Sequence, residues 1–541
     1  MEKHQNINGS DMQDMEMHDG AAPRREGLMP DREIRLSPVN TGADYILPDY
    51  MGDIRKVLNY SARVVPSGRF VGEGEVSFVG IVCYSIVYLD NENKLTQAEF
   101  TSDYEYEVKV GEKFVDGDSR CELAGLSVRP SAPRKLSARA TLVPTVIMAE
   151  DKTPPSPQWS EGTYTLPSVV RESSIELMRL GEREYAEEGA RLQGVMADEV
   201  MTVLSGADSI ISHADCHGGE VTIEGNINAY ALLMIDGETP IRIEKSIPIN
   251  ESFSDACSED GYIIAEAAVT SLRVTVNDGE ANNESESSEP LSSVTFDLTV
   301  EFSTRTYGNR ETRVALDAFS VSGDCECKYR DYYYNEFIGA VREEIPVSLE
   351  VDRSTLEVSG ISEILATECR VNQDSCKKSE NDVQLEADAW LTVLVKTDDE
   401  IGYASHKCQS HILHNIKLPF SCSEEIKLQP VFRVASAETT IDNSKLYIRC
   451  KLLCEMLVKE PKKAQIVEEM TTSVSNNEDT KRSMITVYYP EKNDTLWSVA
   501  KKYRISPVKI AEENMLDGEC VADGGASTLT GVKRIFISRN V

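Results

Sequence analysis

The residue types best suited to chemistry in this 541-residue chain gather in three places. His213, Asp215, Cys216 and His217 lie in SHADCHGG. Cys325 and Cys327 form a CxC. His406, Cys408, His411 and His414 lie in HKCQSHILH. Imidazole and thiolate are the common zinc ligands, but a zinc site needs converging donors, most recognisably as paired CxxC spacings. None of the three has that spacing. If HKCQSHILH is a strand, alternation sends Cys408 and His411 to opposite faces. The chain also lacks a GxxxxGK[ST] phosphate loop, a GxSxG elbow and an HExxH zinc helix. The expectation is a protein with no catalytic residue, no metal and no cofactor. The aromatic run DYYYNEF (331–337) reads as a half-buried strand before it reads as a contact patch.

Bulk properties narrow the class further. The chain is 40% hydrophobic and 27% charged, an ordinary globular composition. Its net charge of −35 argues against a nucleic-acid footprint, which needs clustered Lys and Arg. No run approaches the roughly 20 apolar residues of a membrane span. The start, MEKHQNINGSDMQDMEMHDG, has no apolar core of signal-peptide length. The 13 cysteines are scattered, so they read as reduced thiols in a cytosolic protein.

The elements behind these residues repeat. DIRKVLNYSARVV is followed by VGEGEVSFVGIVCYSIVYLD, DEVMTVLSGADSII by VTIEGNINAYALLMIDGE, and ISEILATECRV by VQLEADAWLTVLVKTDDE. Aligning Gly74, Gly225 and Ala387, at spacings of 151 and 162 residues, matches Val76, Phe78 and Val82 with Ile227, Ala229 and Leu233, and with Ala389, Leu391 and Val395. Each unit closes on a period-two segment. Leu136, Ala138, Ala140 and Leu142 share one face; so do Val294, Phe296, Leu298, Val300 and Phe302; so do Leu446, Ile448, Cys450, Leu452 and Cys454. The middle strands are apolar on both faces and read as central. The fold class is mostly β: three tandem sandwich-like units, followed by a small β-α-α-β module. The expected boundaries are a disordered segment at 1–44, units at 45–150, 163–345 and 346–459, a polar linker at 460–483, and the module at 484–541. Residues 151–162 read as a Pro-rich linker and 277–290 as an acidic loop. The stretch 171–200 has helix-forming composition without a clear period, so its type stays open.

The C-terminal module carries sharper local signals. ITVYY (485–489) is a short strand. Asp494 can cap a helix starting Thr495-Leu496-Trp497. Leu496, Val499, Ala500 and Tyr503 make one buried stripe. Ser506 followed by Pro507 starts a second helix running to about Asn514. KRIFI (533–537) closes the unit. Trp497 and Tyr503 read as packing residues rather than ligand platforms.

Asp494-Thr495-Leu496-Trp497, Ala500, Tyr503, Ile510 and Asn514 stand at the spacing of the LysM family, which this module resembles. The resemblance implies a groove for N-acetylglucosamine polymers, lined by Asn493, Asp494 and Thr495 on one side and by Asn514, Met515 and Leu516 on the other. The sequence departs from the family at Asn493, where Gly is usual, and in a longer segment between Asn514 and Gly531. The repeats have a resemblance of their own. YILPDYMGDIRKVL (45–58), EGEVSFVGIVCYSIVYL and PSAPRKLSARATLV (130–143) are similar to the SPOCS domain, and the whole order resembles SipL-type spore-coat morphogenetic proteins. That resemblance implies a scaffold in the mother-cell cytosol at the forespore surface. Its partner there would be the morphogenetic ATPase, and the LysM-like module would grip protein instead of glycan.

Overall fold

The computed structural model describes residues 29–538 except 152–153, 156–158, 160–161, 238, 255–260, 279–290, 357, 359, 380–381, 401, 443–444, 475–484 and 517–524. The chain is mostly β, with two short helices near its C-terminus. The first lobe holds β1 (Met29–Arg35), β2 (Val39–Ile46), β3 (Ile54–Val71), β4 (Glu75–Asp90), β5 (Leu95–Lys109), β6 (Phe114–Ala132) and β7 (Lys135–Glu150). The second holds β8 (Thr163–Gln193), β9 (Val200–His217), β10 (Glu220–Ile235), β11 (Thr239–Phe253), β12 (Tyr262–Asp278) and β13 (Leu291–Ser320). The third holds β14 (Gly323–Asp352), β15 (Ile361–Ser379), β16 (Asp382–Thr397), β17 (Tyr403–Lys417), β18 (Lys427–Asp442) and β19 (Lys445–Val474). The C-terminal module is β20 (Ile485–Tyr488), α1 (Leu496–Tyr503), α2 (Pro507–Asn514) and β21 (Ile535–Ser538). No described helix is long and apolar enough to cross a membrane.

Each lobe packs two antiparallel sheets over one apolar core. Three-stranded sheets β3-β4-β5, β9-β10-β11 and β15-β16-β17 face sheets built on the closing strands β7, β13 and β19. The period-two faces of those closing strands are buried as their alternation predicts: Phe296, Phe302, Leu446 and Leu136 have no exposed surface. β4, β10 and β16 are central in their sheets.

The register of the repeats needs one correction. A bulge displaces Leu58, Val203 and Leu365 at the same point of each first hairpin, opposite Val87, Leu232 and Leu394. Those partners are 145 and 162 residues apart, so Val82 corresponds to Ile227 and Tyr84 to Ala229. The spacing of 162 stands, and 151 becomes 145. An error of six keeps every side chain on its own face, because the period of a strand is two. Hydrophobic phase alone therefore does not detect it.

The three lobes are not strung out in a row; they close into a ring. Arg63 in β3 donates to the Val269 carbonyl of lobe two at 2.7 Å, and Arg242 in β11 donates to the Leu365 carbonyl of lobe three at 3.0 Å. Lys407 in β17 sits 3.3 Å over the Tyr60 ring of lobe one, which completes the circuit. At the hub, Leu58, Val87, Val203, Leu232, Leu365 and Leu394 pack together, two from each lobe. This explains the two-faced apolar ends of the middle strands. One face fills the lobe and the other fills the hub.

A second junction joins the closing sheets. Arg305, buried in lobe two, reaches Asp118 of lobe one at 2.9 Å and Glu266 at 3.0 Å. Glu266 also pairs with Arg433 of lobe three at 3.3 Å, and Arg433 holds the buried Glu455 at 2.6 Å. Burial alone would raise the Glu266 carboxyl, but Arg305 and Arg433 outweigh it and hold it at about 2. Lys459 of lobe three pairs with Asp31 of lobe one, both buried.

Below the ring, two ribbons continue as a stalk. Buried residues along β13 pass from the lobe core (Val294 to Phe302) to the second junction (Tyr307), and then to Val314 and Phe319. The lower part of β13 pairs with Thr163–Ser174 of β8, and the lower part of β14 pairs with residues 460–474 of β19. The ribbons meet through Val170, Val314, Leu316, Tyr332, Tyr334 and Ile466. At about 3.3 Å per residue, the 15 residues 460–474 span about 50 Å.

Several expected boundaries change with this. Residues 460–474 are strand, not linker; their polar composition reflects a ribbon that buries few side chains, Ile466 and Val467 among them. β14 runs across the expected 345/346 boundary, because it pairs with β19 in lobe three. The expected disordered segment 1–44 contains β1 and most of β2, which runs on to Ile46; both pair with β7. Residues 1–28 and 475–484 and most of the 277–290 loop lie outside the described residues. The open stretch 171–200 is mainly β8, whose helix-forming composition is overridden by pairing with β13 along its length. DYYYNEF is a half-buried strand segment of the stalk, with Tyr332 and Tyr334 packed inward and Tyr333 exposed.

Candidate functional site

The C-terminal module folds as its local signals dictate, with one change. Thr495, not Asp494, caps α1: its hydroxyl accepts from Ser498 N–H at 3.0 Å, and Ser498 returns a bond to Thr495 N–H. Asp494 accepts from Tyr488 O–H at 2.6 Å and from Glu491 N–H at 2.8 Å. The Tyr488 bond, with Glu491 N–H behind it, holds the Asp494 carboxyl below its ordinary range. Ser506 caps α2, with Pro507 at its first position. Leu496, Val499, Ala500, Ile510, Ala511, Ile535 and Ile537 form the core, and Tyr503 stacks edge-on to Tyr488.

The six expected groove residues fall into two classes. Asn514 clamps β21: its amide donates to the Phe536 carbonyl at 2.6 Å, and its oxygen accepts from Phe536 N–H at 2.6 Å. Asp494 and Thr495 are likewise engaged inside the module, and Leu516 packs on its core. Asn493 and Met515 point outward; Met515 is 95% exposed and ends α2 in the left-handed region, at φ 52°. The lengthened loop lies partly outside the described residues. Its far end returns against the start of α1: Trp497 N–H donates to the Gly525 carbonyl at 2.8 Å, and Leu529 N–H to the Asp494 carbonyl at 2.8 Å.

The second face of α1 carries a contact that no local signal marked. Trp497, Lys501 and Arg504 recur every turn and sit on the tip of the stalk. Trp497 is buried against Phe319, edge-on at 5.0 Å between centroids, and Phe319 stacks on Tyr164. The indole N–H donates to Asp317 at 2.9 Å, and Lys501 reaches both oxygens of that carboxylate, at 2.7 and 2.6 Å. Tyr329 O–H adds a third donor at 2.7 Å. Burial alone would raise Asp317, but the bonds from Lys501, Trp497 and Tyr329 prevail and hold it low. Arg504 pairs with Asp324. Trp497 is thus a packing residue, though of an interface as well as of the module. A cue was present in the sequence: a Trp beside two cations on a helix whose core stripe was already filled by other residues.

The His and Cys clusters separate on the strands. In β9, His213, Asp215 and His217 face out and Cys216 faces in. Cys216 is disulfide-bonded, while ten other described cysteines carry free thiols. This corrects the expectation of reduced thiols throughout: scattered spacing along the sequence does not fix which cysteines meet in space. Cys408 packs on the third core, opposite His411, which bonds Asp388 at 3.1 Å. Among the described residues, no three His, Cys, Asp or Glu side chains converge as a metal site would require.

Comparison with known proteins adds one match. No curated protein and no solved structure matches the chain. The family model described as LysM domain matches residues 491–519. With the paired strands, the two capped helices and this match, the C-terminal module contains a LysM domain.

Proposed function

We propose that this chain is a non-catalytic adaptor, in which a rigid ring and stalk carry a LysM domain that grips a ligand outside the chain. The match at residues 491–519 supports a glycan of the peptidoglycan class, an N-acetylglucosamine polymer, as that ligand. The observation that carries the reading is the exposure of Asn493 and Met515 while α1 is committed to the stalk. Sedimentation of the full chain with insoluble peptidoglycan tests it. Retention in the pellet, weakened about tenfold by N493A with M515A, is expected. Protein left entirely in the supernatant refutes it.

A second reading has its own support. Asp494 and Asn514 are engaged within the module, and α1 already recognises protein through Trp497 and Lys501. Together with the likeness of the repeats to SPOCS domains, this favours a spore-coat scaffold in the mother-cell cytosol. It would dock coat components to the morphogenetic ATPase on the forespore surface. Deleting 484–541 should disperse the protein from forespores, and persistent localisation would sink this reading.

A further inference from the structure

We propose that Cys325 and Cys327 form a modification site, and that oxidation of this dithiol to a disulfide unseats the LysM module from the stalk. The two thiols sit on one face of β14 with their sulfurs 3.7 Å apart. Both donate to the same carbonyl, that of Ala318, at 4.0 and 3.5 Å. Ala318 lies between Asp317 and Phe319, the two residues that hold Trp497. Asp324, the partner of Arg504, directly precedes the pair. Tyr329, two residues beyond it, donates to Asp317. Both cysteines are partly exposed, so a small oxidant can reach them.

The geometry gives oxidation a mechanical consequence. Alternate residues of a strand have their Cα atoms about 6.6–6.8 Å apart. A disulfide is most relaxed at about 5.5–6 Å, so bond formation pinches β14 by about 1 Å. It also removes both S–H donors from the Ala318 carbonyl. Burial pushes the Cys325 thiol up to about 11, so at neutral pH Cys325 rests as a thiol and reacts slowly. The oxidant is a low-molecular-weight disulfide. One cysteine thiolate attacks it, forming a mixed disulfide and releasing one thiolate. The second cysteine thiolate attacks the protein-bound sulfur and releases the other. The two cysteine protons end on the two released thiols, and the cysteines lose two electrons to the cleaved S–S bond.

The test uses the full chain and oxidised glutathione. Peptide mass reads the loss of two hydrogens across 325–327. Zero-length carbodiimide crosslinking of Lys501 to Asp317 reads seating, since their atoms lie 2.6 Å apart. Oxidation should lower the crosslink yield about tenfold, dithiothreitol should restore it, and C325S/C327S should crosslink normally with no response to oxidant. Thiols that remain free, a disulfide that leaves the yield unchanged, or an equal response in the double variant would each overturn the proposal.

Discussion

Trp497 donates its indole N–H to Asp317, 180 residues earlier in the chain, at 2.9 Å. The bond fixes the C-terminal module as a cap on the tip of the stalk. Lys501 neutralises the same carboxylate, and Phe319 shields the indole.

Replacing Asp317 should release that cap without unfolding the ring. In a background with Trp159 and Trp390 changed to Phe, leaving one Trp of the natural three, acrylamide quenching reads Trp497 alone. D317N should raise its quenching several-fold, because a hydrogen bond to a charged acceptor is worth about 1.5–3 kcal/mol. Unchanged quenching would show that the aromatic contact alone seats the module.

Acid should have the same effect. Asp317 is held below the ordinary carboxylate value of about 3.9, so its contribution is complete above that value. The contribution is lost as pH falls through the depressed value. Trp497 quenching should therefore stay flat from pH 7 to about pH 4 and rise below it. D317N should abolish that acid step.

Asn514→Ala should destabilise the module by about 2–3 kcal/mol, since it removes both bonds to Phe536. Urea unfolding followed by Trp497 fluorescence in the same single-Trp background would read it. Lost glycan retention in this variant would therefore not assign Asn514 to the groove, whereas loss in N493A would implicate Asn493.

The hub should make the ring unfold as one body. Leu365→Ala removes a fully buried side chain shared by three lobes and should cost about 2–5 kcal/mol. Circular dichroism should show one urea transition moving to lower denaturant. Three separable transitions would mean that the lobes are energetically independent.

Much of the fold was legible because strands advertise their faces. Val294 to Phe302 alternate without a break, and all five inward residues are buried. The ring was not legible, since its contacts use ordinary side chains whose partners lie far away in sequence: Arg63 with Val269, Lys407 with Tyr60. The stalk misled for another reason. Residues 460–474 bury so little that their composition is that of a linker, and only pairing with β14 makes them strand. In the module, Thr495 and Asp494 offer equally good cap chemistry side by side, and Tyr488 decides between them by binding Asp494. Trp497 was legible as buried but not as to what buries it.

A ring of three similar lobes is the shape of a homotrimer, with one difference in valency. Three separate subunits would fall apart on dilution and would display three terminal grips. Here one continuous backbone joins the lobes, so the ring itself does not come apart on dilution, and three lobes share the one LysM domain matched in the chain. Covalent fusion also frees the lobes from identity. Where lobes one and three place Arg63 and Arg370, lobe two places Asp208, an opposite charge that a symmetric assembly could not hold at one position alone.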